Sequence, residues 1–165
     1  MKKIILTLSL LMAFGVMASS QQLKYVDASE LNVIGKVLPT PKPFTRLDTE
    51  KYKFDDKTIE RYANFSTGLM VLFTTDSRTI AANWTTSEAN AGYNMTSILY
   101  KGLDLYIKKD GKWVFAGVGS PKMTKGPYDK HSATIVENMP EGTKDSLYDT
   151  GHYLEAGMVE IFYYE

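Results

Sequence analysis

Histidine-based proton transfer has only two places to start in this 165-residue chain, and the absence of cysteine removes thiolate chemistry altogether. Asp149-Thr150-Gly151-His152 sets a carboxylate three residues ahead of an imidazole, a candidate acid and base pair. Asp129-Lys130-His131 is one residue tighter, falls in a stretch that reads as loop, and does not fit that arrangement. A base acts only on a nucleophile held within hydrogen-bond reach. None is positioned for it by the sequence, so Asp149 and His152 are read as a coincidence of spacing in a loop before the last strand, and the chain is expected to be non-catalytic. The two histidines lie twenty-one residues apart without cysteine or clustered carboxylates, which gives no zinc pattern. Asp55-Asp56 reads as a solvated turn rather than a calcium ligand set. With no glycine-rich phosphate loop either, neither a metal nor a cofactor is expected.

Aromatic side chains offer a different chemistry. The chain has 11 Tyr, 7 Phe and 2 Trp, and indole or phenol faces stack on the C–H faces of sugar rings. Trp84, Tyr93 and Trp113 are the candidate glycan-binding residues, with the polar loop from Trp84 to Tyr93 as a rim. Tryptophans on alternating strands are more often core than platform, a role open to both Trp84 and Trp113.

These residues need strands to position them, and Tyr100 to Gly119 is the stretch around which the others are arranged. Leu103, Leu105 and Ile107 alternate with Asp104, Tyr106 and Lys108, the period of a strand with one face in a core. Asp110-Gly111 supplies a primed turn, and a return strand carries Trp113, Phe115 and Val118. Further strands are expected over 58–64, 68–74, 79–85, 93–98, 132–137, 144–148 and 159–164. Leu69, Val71 and Phe73 share one face of the second of these; Ile80, Ala82 and Trp84 share one face of the third. Their short links predict consecutive antiparallel neighbours. No segment shows a helical period. The pattern predicts an all-β fold: an antiparallel β-sandwich, jelly-roll-like, in a single domain. Residues 21–56, punctuated by Pro39, Pro41 and Pro43, read as an extended N-terminal arm lying across a sheet, with a short strand near Asn32 to Ile34, packing with 57–165 as one domain.

Residues 1–20 read as a signal peptide: Lys2 and Lys3, an apolar run from Ile4 to Val16, then Ala18, Ser19 and Ser20. Its removal predicts a secreted or periplasmic bacterial protein with no further membrane span. The mature chain would hold 17 basic against 19 acidic residues, since the leader takes two of the 19 lysines and arginines. That balance gives no electrostatic footprint for nucleic acid.

Gly102-Leu103-Asp104-Leu105-Tyr106 resembles the G-x-D-L-Y motif of the β-sandwich domain that precedes the catalytic domain in bacterial SGNH (GDSL-like) hydrolases. Ile34-Gly35-Lys36, Arg46-Leu47, Ser66-Thr67-Gly68-Leu69 with Phe73 and Asp76-Ser77, Ile80-Ala81 with Trp84, and Pro140-Glu141-Gly142 are similar to its other elements, in order. The resemblance implies motif roles for Gly102, Asp104, Tyr106 and Arg46, and an SGNH catalytic domain as partner, in cis or in trans. The G-D-S-like and G-x-N-D blocks of that catalytic domain do not occur in the sequence. The expected function is therefore a non-catalytic accessory domain of a secreted SGNH-type carbohydrate esterase, acting as platform or glycan-binding module. A free-standing glycan-binding sandwich is the alternative, and a hydrolase fragment lacking its esterase domain is a second. Asp104, on the face opposite Leu103 and Leu105, is expected to pair with an arginine, because a buried carboxylate without a partner costs several kcal/mol.

Overall fold

At Asp110-Gly111 both residues have positive φ, 51° and 76°, the geometry whose twist matches that of the strands it joins. The turn links β5 (Leu103–Lys109) to β6 (Lys112–Gly119). The computed structural model describes residues 23–87, 93–94, 96–121, 128–149 and 156–164. Before this hairpin come β1 (Leu23–Asp27), β2 (Asn32–Ile34), β3 (Met70–Thr75) and β4 (Ile80–Ser87). After it come β7 (Tyr128–Val136), β8 (Lys144–Asp149) and β9 (Ala156–Tyr164).

The strands form a four-stranded sheet in the order β1-β9-β4-β7 and a five-stranded sheet in the order β2-β3-β8-β5-β6. All the pairings are antiparallel. Four of them nest: β1 with β9, β3 with β8, β4 with β7 and β5 with β6. A chain folded once into a long hairpin with the Asp110-Gly111 turn at its tip, then rolled so that successive pairs fall in alternate sheets, has this connectivity. That is a jelly roll, with β2 added at the edge beside β3. The all-β sandwich expected from the strand spacing is what forms.

Four local expectations are corrected. Residues 58–64 are not a strand: α1 spans Lys57–Ala63, with the Asp56 carboxylate accepting from the Thr58 N–H at 2.7 Å as N-cap. None of its residues is buried, so no apolar period betrayed it. Nor do the described residues of 93–98 form a strand: Tyr93 and Asn94 stand in a turn, and Thr96 caps a five-residue helix, α2 (Ser97–Lys101). The link at 76–79 does not join neighbours within a sheet, because β3 and β4 belong to opposite sheets. There the Ser77 hydroxyl donates to the Thr79 carbonyl at 2.7 Å, and the Thr75 hydroxyl accepts from the Ser77 N–H at 3.1 Å. These side-chain bonds to the backbone turn the chain across the core. Finally, the arm begins within the sheets. β1 pairs with β9 and β2 with β3, so residues 23–34 add an edge strand to each sheet, joined by a 3-10 turn at Ala28–Glu30 capped by Asp27.

Val71, Ile80, Ala82, Trp84, Leu103 and Leu105 meet between the sheets, with Ala28, Phe44 and Met139 closing the core from the connections. The proline-punctuated stretch holds Phe44 in the core at 2 % exposure. Among the described residues no helix is long and apolar enough to cross a membrane.

Candidate functional site

The G-x-D-L-Y stretch is a hinge between helix and sheet. Gly102 ends α2, its N–H donating to the Ile98 carbonyl at 2.7 Å. A Cβ at Gly102 would overlap that same carbonyl oxygen, so space and not backbone conformation demands glycine here. Leu103 and Leu105 enter the core at 2 % and 0 % exposure. Asp104 and Tyr106 take the opposite, outer face, both half-buried. The Tyr106 ring meets Phe115 edge-on, centroids 5.8 Å apart, and Asp104 stands in register with Val118 on β6 and Asp149 on β8.

Buried polar groups gather around Trp84. The Trp84 indole donates to the Lys101 carbonyl at 2.8 Å, satisfying an orphan acceptor at the end of α2. The Lys101 side chain is fully buried, and so, nearly, are Thr86 and His131. Thr86 Oγ1 and His131 Nε2 are 2.9 Å apart, and the imidazole tilts against the Trp84 ring at 5.1 Å. His131 therefore lies in β7 and not in a loop. Neither Lys101 nor His131 carries a local signal of burial; both look like solvated residues of polar stretches. Burial raises the pKa of the neighbouring Tyr100 phenol, against the pull of the Arg61 guanidinium and with a smaller push from Tyr62.

Other motif elements tie the arm to the sandwich. Arg46 Nε donates to the Phe65 carbonyl at 2.8 Å, and its second guanidinium nitrogen donates to the Tyr62 carbonyl, placing a cation on the C-terminal carbonyls of α1. Arg78 Nε donates to the Met139 carbonyl at 3.0 Å, while Arg61 lies over the Tyr62 ring. The described contacts of the three arginines thus go to backbone and ring. Lys36, its pKa lowered by burial, donates to Thr40 Oγ1 at 2.7 Å and the Lys42 carbonyl at 3.0 Å. Arg46→Ala, which strips the fork from α1, is expected to cost about 1.5–3 kcal/mol in urea unfolding. Arg46→Lys should recover only part of it, since one ammonium cannot reproduce the planar pair of donors.

The three candidate glycan-binding aromatics separate. Trp84, at 4 % exposure, is core and not a glycan platform, because a buried ring cannot stack on a sugar. Tyr93 is fully exposed and stands in a turn. Trp113, 42 % exposed, lines a groove of about 310 Å³ on the outer face of the five-stranded sheet. The structure does not bring the three together on one surface around Trp84. Asp149 ends β8 and so is not in a loop, whereas His152 lies outside the described residues. Among those described, no three His, Asp or Glu side chains are grouped to hold a metal ion.

The fold is thus a two-sheet jelly roll in which β5, entering through Gly102, buries the two leucines of L-D-L between the sheets. Over residues 23–159 the sequence matches the family described as "GxDLY: N-terminus of Esterase_SGNH_hydro-type", and the chain belongs to that family. A crystal structure of a protein described as a GDSL-like lipase, from Bacteroides ovatus ATCC 8483, is 37 % identical and superposes with a TM-score of 0.80 over 86 % of this chain. The chain spans 41 % of that protein's length. No curated protein matches.

Proposed function

We propose that the chain is the non-catalytic accessory module of a secreted SGNH-type esterase, supplying a rigid platform for a catalytic domain in cis or in trans, or a handle on its glycan. The observation that carries this reading is how the motif is spent. Gly102 fits beneath the Ile98 carbonyl and the two leucines fill the core, so the residues that define the family hold the sandwich together and leave none of the motif's apolar positions for substrate. The leader at residues 1–20 supports export. Exposed Ile98 and Leu99 on α2, 43 % and 41 % accessible, favour the platform form, as they set apolar surface beside the motif.

Esterase assays of the purified protein with p-nitrophenyl acetate test the reading. The expected result is no turnover above buffer, unchanged by His152→Ala. Turnover that falls on that substitution would identify the chain as part of a hydrolase active site and overturn the accessory role.

A further inference from the structure

We propose that the groove beside Trp113 binds an uncharged carbohydrate chain. This deepens the glycan-handle form of the accessory reading and rests on it, not on the platform form. The groove crosses the outer face of the five-stranded sheet, and every strand of that sheet contributes to it: Asn32 from β2, Leu72 and Thr74 from β3, Asp145 from β8, Lys108 from β5 and Trp113 from β6. The register makes this a built surface. Asn32 is paired with Leu72, Thr74 with Asp145, and Lys108 with Trp113, so the side chains of each pair stand on one face.

The polar groups are fixed relative to one another. Thr74 Oγ1 donates to Asp145 Oδ1 at 3.1 Å. Lys108 Nζ lies 3.9 Å from Asp145 Oδ2 and 5.8 Å from the centre of the Trp113 ring. One ammonium and one carboxylate cancel, leaving a trough with no net charge but with strong donors and acceptors along its length. A sugar hydroxyl both donates and accepts, which this mixture satisfies, while the indole offers an apolar face for ring C–H groups. An anionic ligand would meet Asp145 directly, and the core of a protein interface is depleted of such charged residues. The volume, about 310 Å³, falls at the small end of the range for small-molecule sites, about 300–1,000 Å³.

A chain fits better than a single sugar. Phe115 lies two residues along β6 on the same face as Trp113 and is 56 % exposed, which sets a second aromatic surface about 7 Å further on. Together they form a strip that a linear oligosaccharide can follow.

Native electrophoresis of the protein expressed from its full sequence, in gels containing arabinoxylan, galactomannan or mixed-linkage β-glucan with polygalacturonate as the anionic counterpart, tests this. At least one neutral polysaccharide should retard the protein and shield Trp113 from acrylamide quenching, with buried Trp84 as internal reference. Trp113→Ala should weaken that binding about tenfold or more. Asp145→Asn, which keeps the indole, should weaken it less, and both variants should unfold at the wild-type temperature. The proposal is overturned if no neutral polysaccharide retards the protein, if retardation survives both substitutions, or if polygalacturonate is bound more tightly. It is also overturned if Trp113 becomes shielded with rising protein concentration alone, which would show a second copy covering the groove. The ester assay reads the accessory role independently of every one of these outcomes.

Discussion

Trp84→Ala is expected to lower stability by about 3–5 kcal/mol, the cost of emptying a buried indole site, and Trp84→Phe by about 1–3 kcal/mol for the unsatisfied acceptor it leaves. The larger loss follows from the position of the ring. It is 4 % exposed, sits in the cluster formed by Ile80, Ala82, Leu103 and Leu105, and packs against His131. Gly119 lies so close beneath it that an added Cβ would stand 3.1 Å from the indole Cη2, so the sandwich has been shaped to the ring and cannot easily collapse into the space it leaves. The smaller loss isolates one hydrogen bond. Phe keeps most of the ring but donates nothing, and the Lys101 carbonyl, held at 2.8 Å by the indole in the native protein, is left buried at the end of α2 just where the chain turns into β5. Urea unfolding followed by circular dichroism separates the two, with Trp113→Ala as the exposed comparison expected to fall within about 0.5 kcal/mol of wild type. If Trp84→Phe matches wild type, the indole does not support the helix end.

The contrast between the two tryptophans shows what could and could not be read from the sequence. Both stand on strands found from alternation, and both tolerate either role. On β4 the alternation resolves the matter only after the sheet partners are known, since Ala82 and Trp84 face Leu103 and Leu105 across the sandwich. On β6 both faces carry large apolar residues, Trp113 and Phe115 on one and Val114 on the other, so the pattern does not say which face is inside. The β5–β6 hairpin was legible because its turn chemistry is local: only Asp110 and Gly111 need adopt positive φ. The two helices were not. α1 buries no residue and α2 has five, too few for a period to appear. Sheet partnership was illegible at 76–79 for another reason. A four-residue link suits a hairpin and a crossing equally, and here the crossing is braced by the Ser77 hydroxyl, which donates to the Thr79 carbonyl, and by the Thr75 hydroxyl, which accepts from the Ser77 N–H. The buried Lys101 and His131 lay beyond reach because burial of a polar side chain is fixed by what packs over it, which has no signature at the residue itself.

Gly35→Ala should be the most damaging glycine substitution, at about 3 kcal/mol or more, because two penalties coincide there. Gly35 has φ of +95°, where an L-residue is strained, and its Cβ would overlap the Gly68 carbonyl oxygen. Two separated pieces of the family pattern, Ile34-Gly35-Lys36 and Ser66-Thr67-Gly68-Leu69, are therefore one contact in the folded protein: β2 leaves the edge of the five-stranded sheet just where the chain enters β3. Gly68 supplies the internal control. Its φ is +79°, but an added Cβ would meet nothing within 4 Å, so Gly68→Ala carries the conformational cost alone, about 1–2 kcal/mol. The difference between the two variants in urea unfolding measures the overlap itself. Equal losses would mean that β2 moves aside without cost and that the edge strand is not locked to β3. A larger loss at Gly35 would show that the arm is held to the sandwich at this contact. Because the groove is lined on one side by Asn32 of the same strand, a Gly35→Ala protein that still folds should then also bind neutral glycan more weakly.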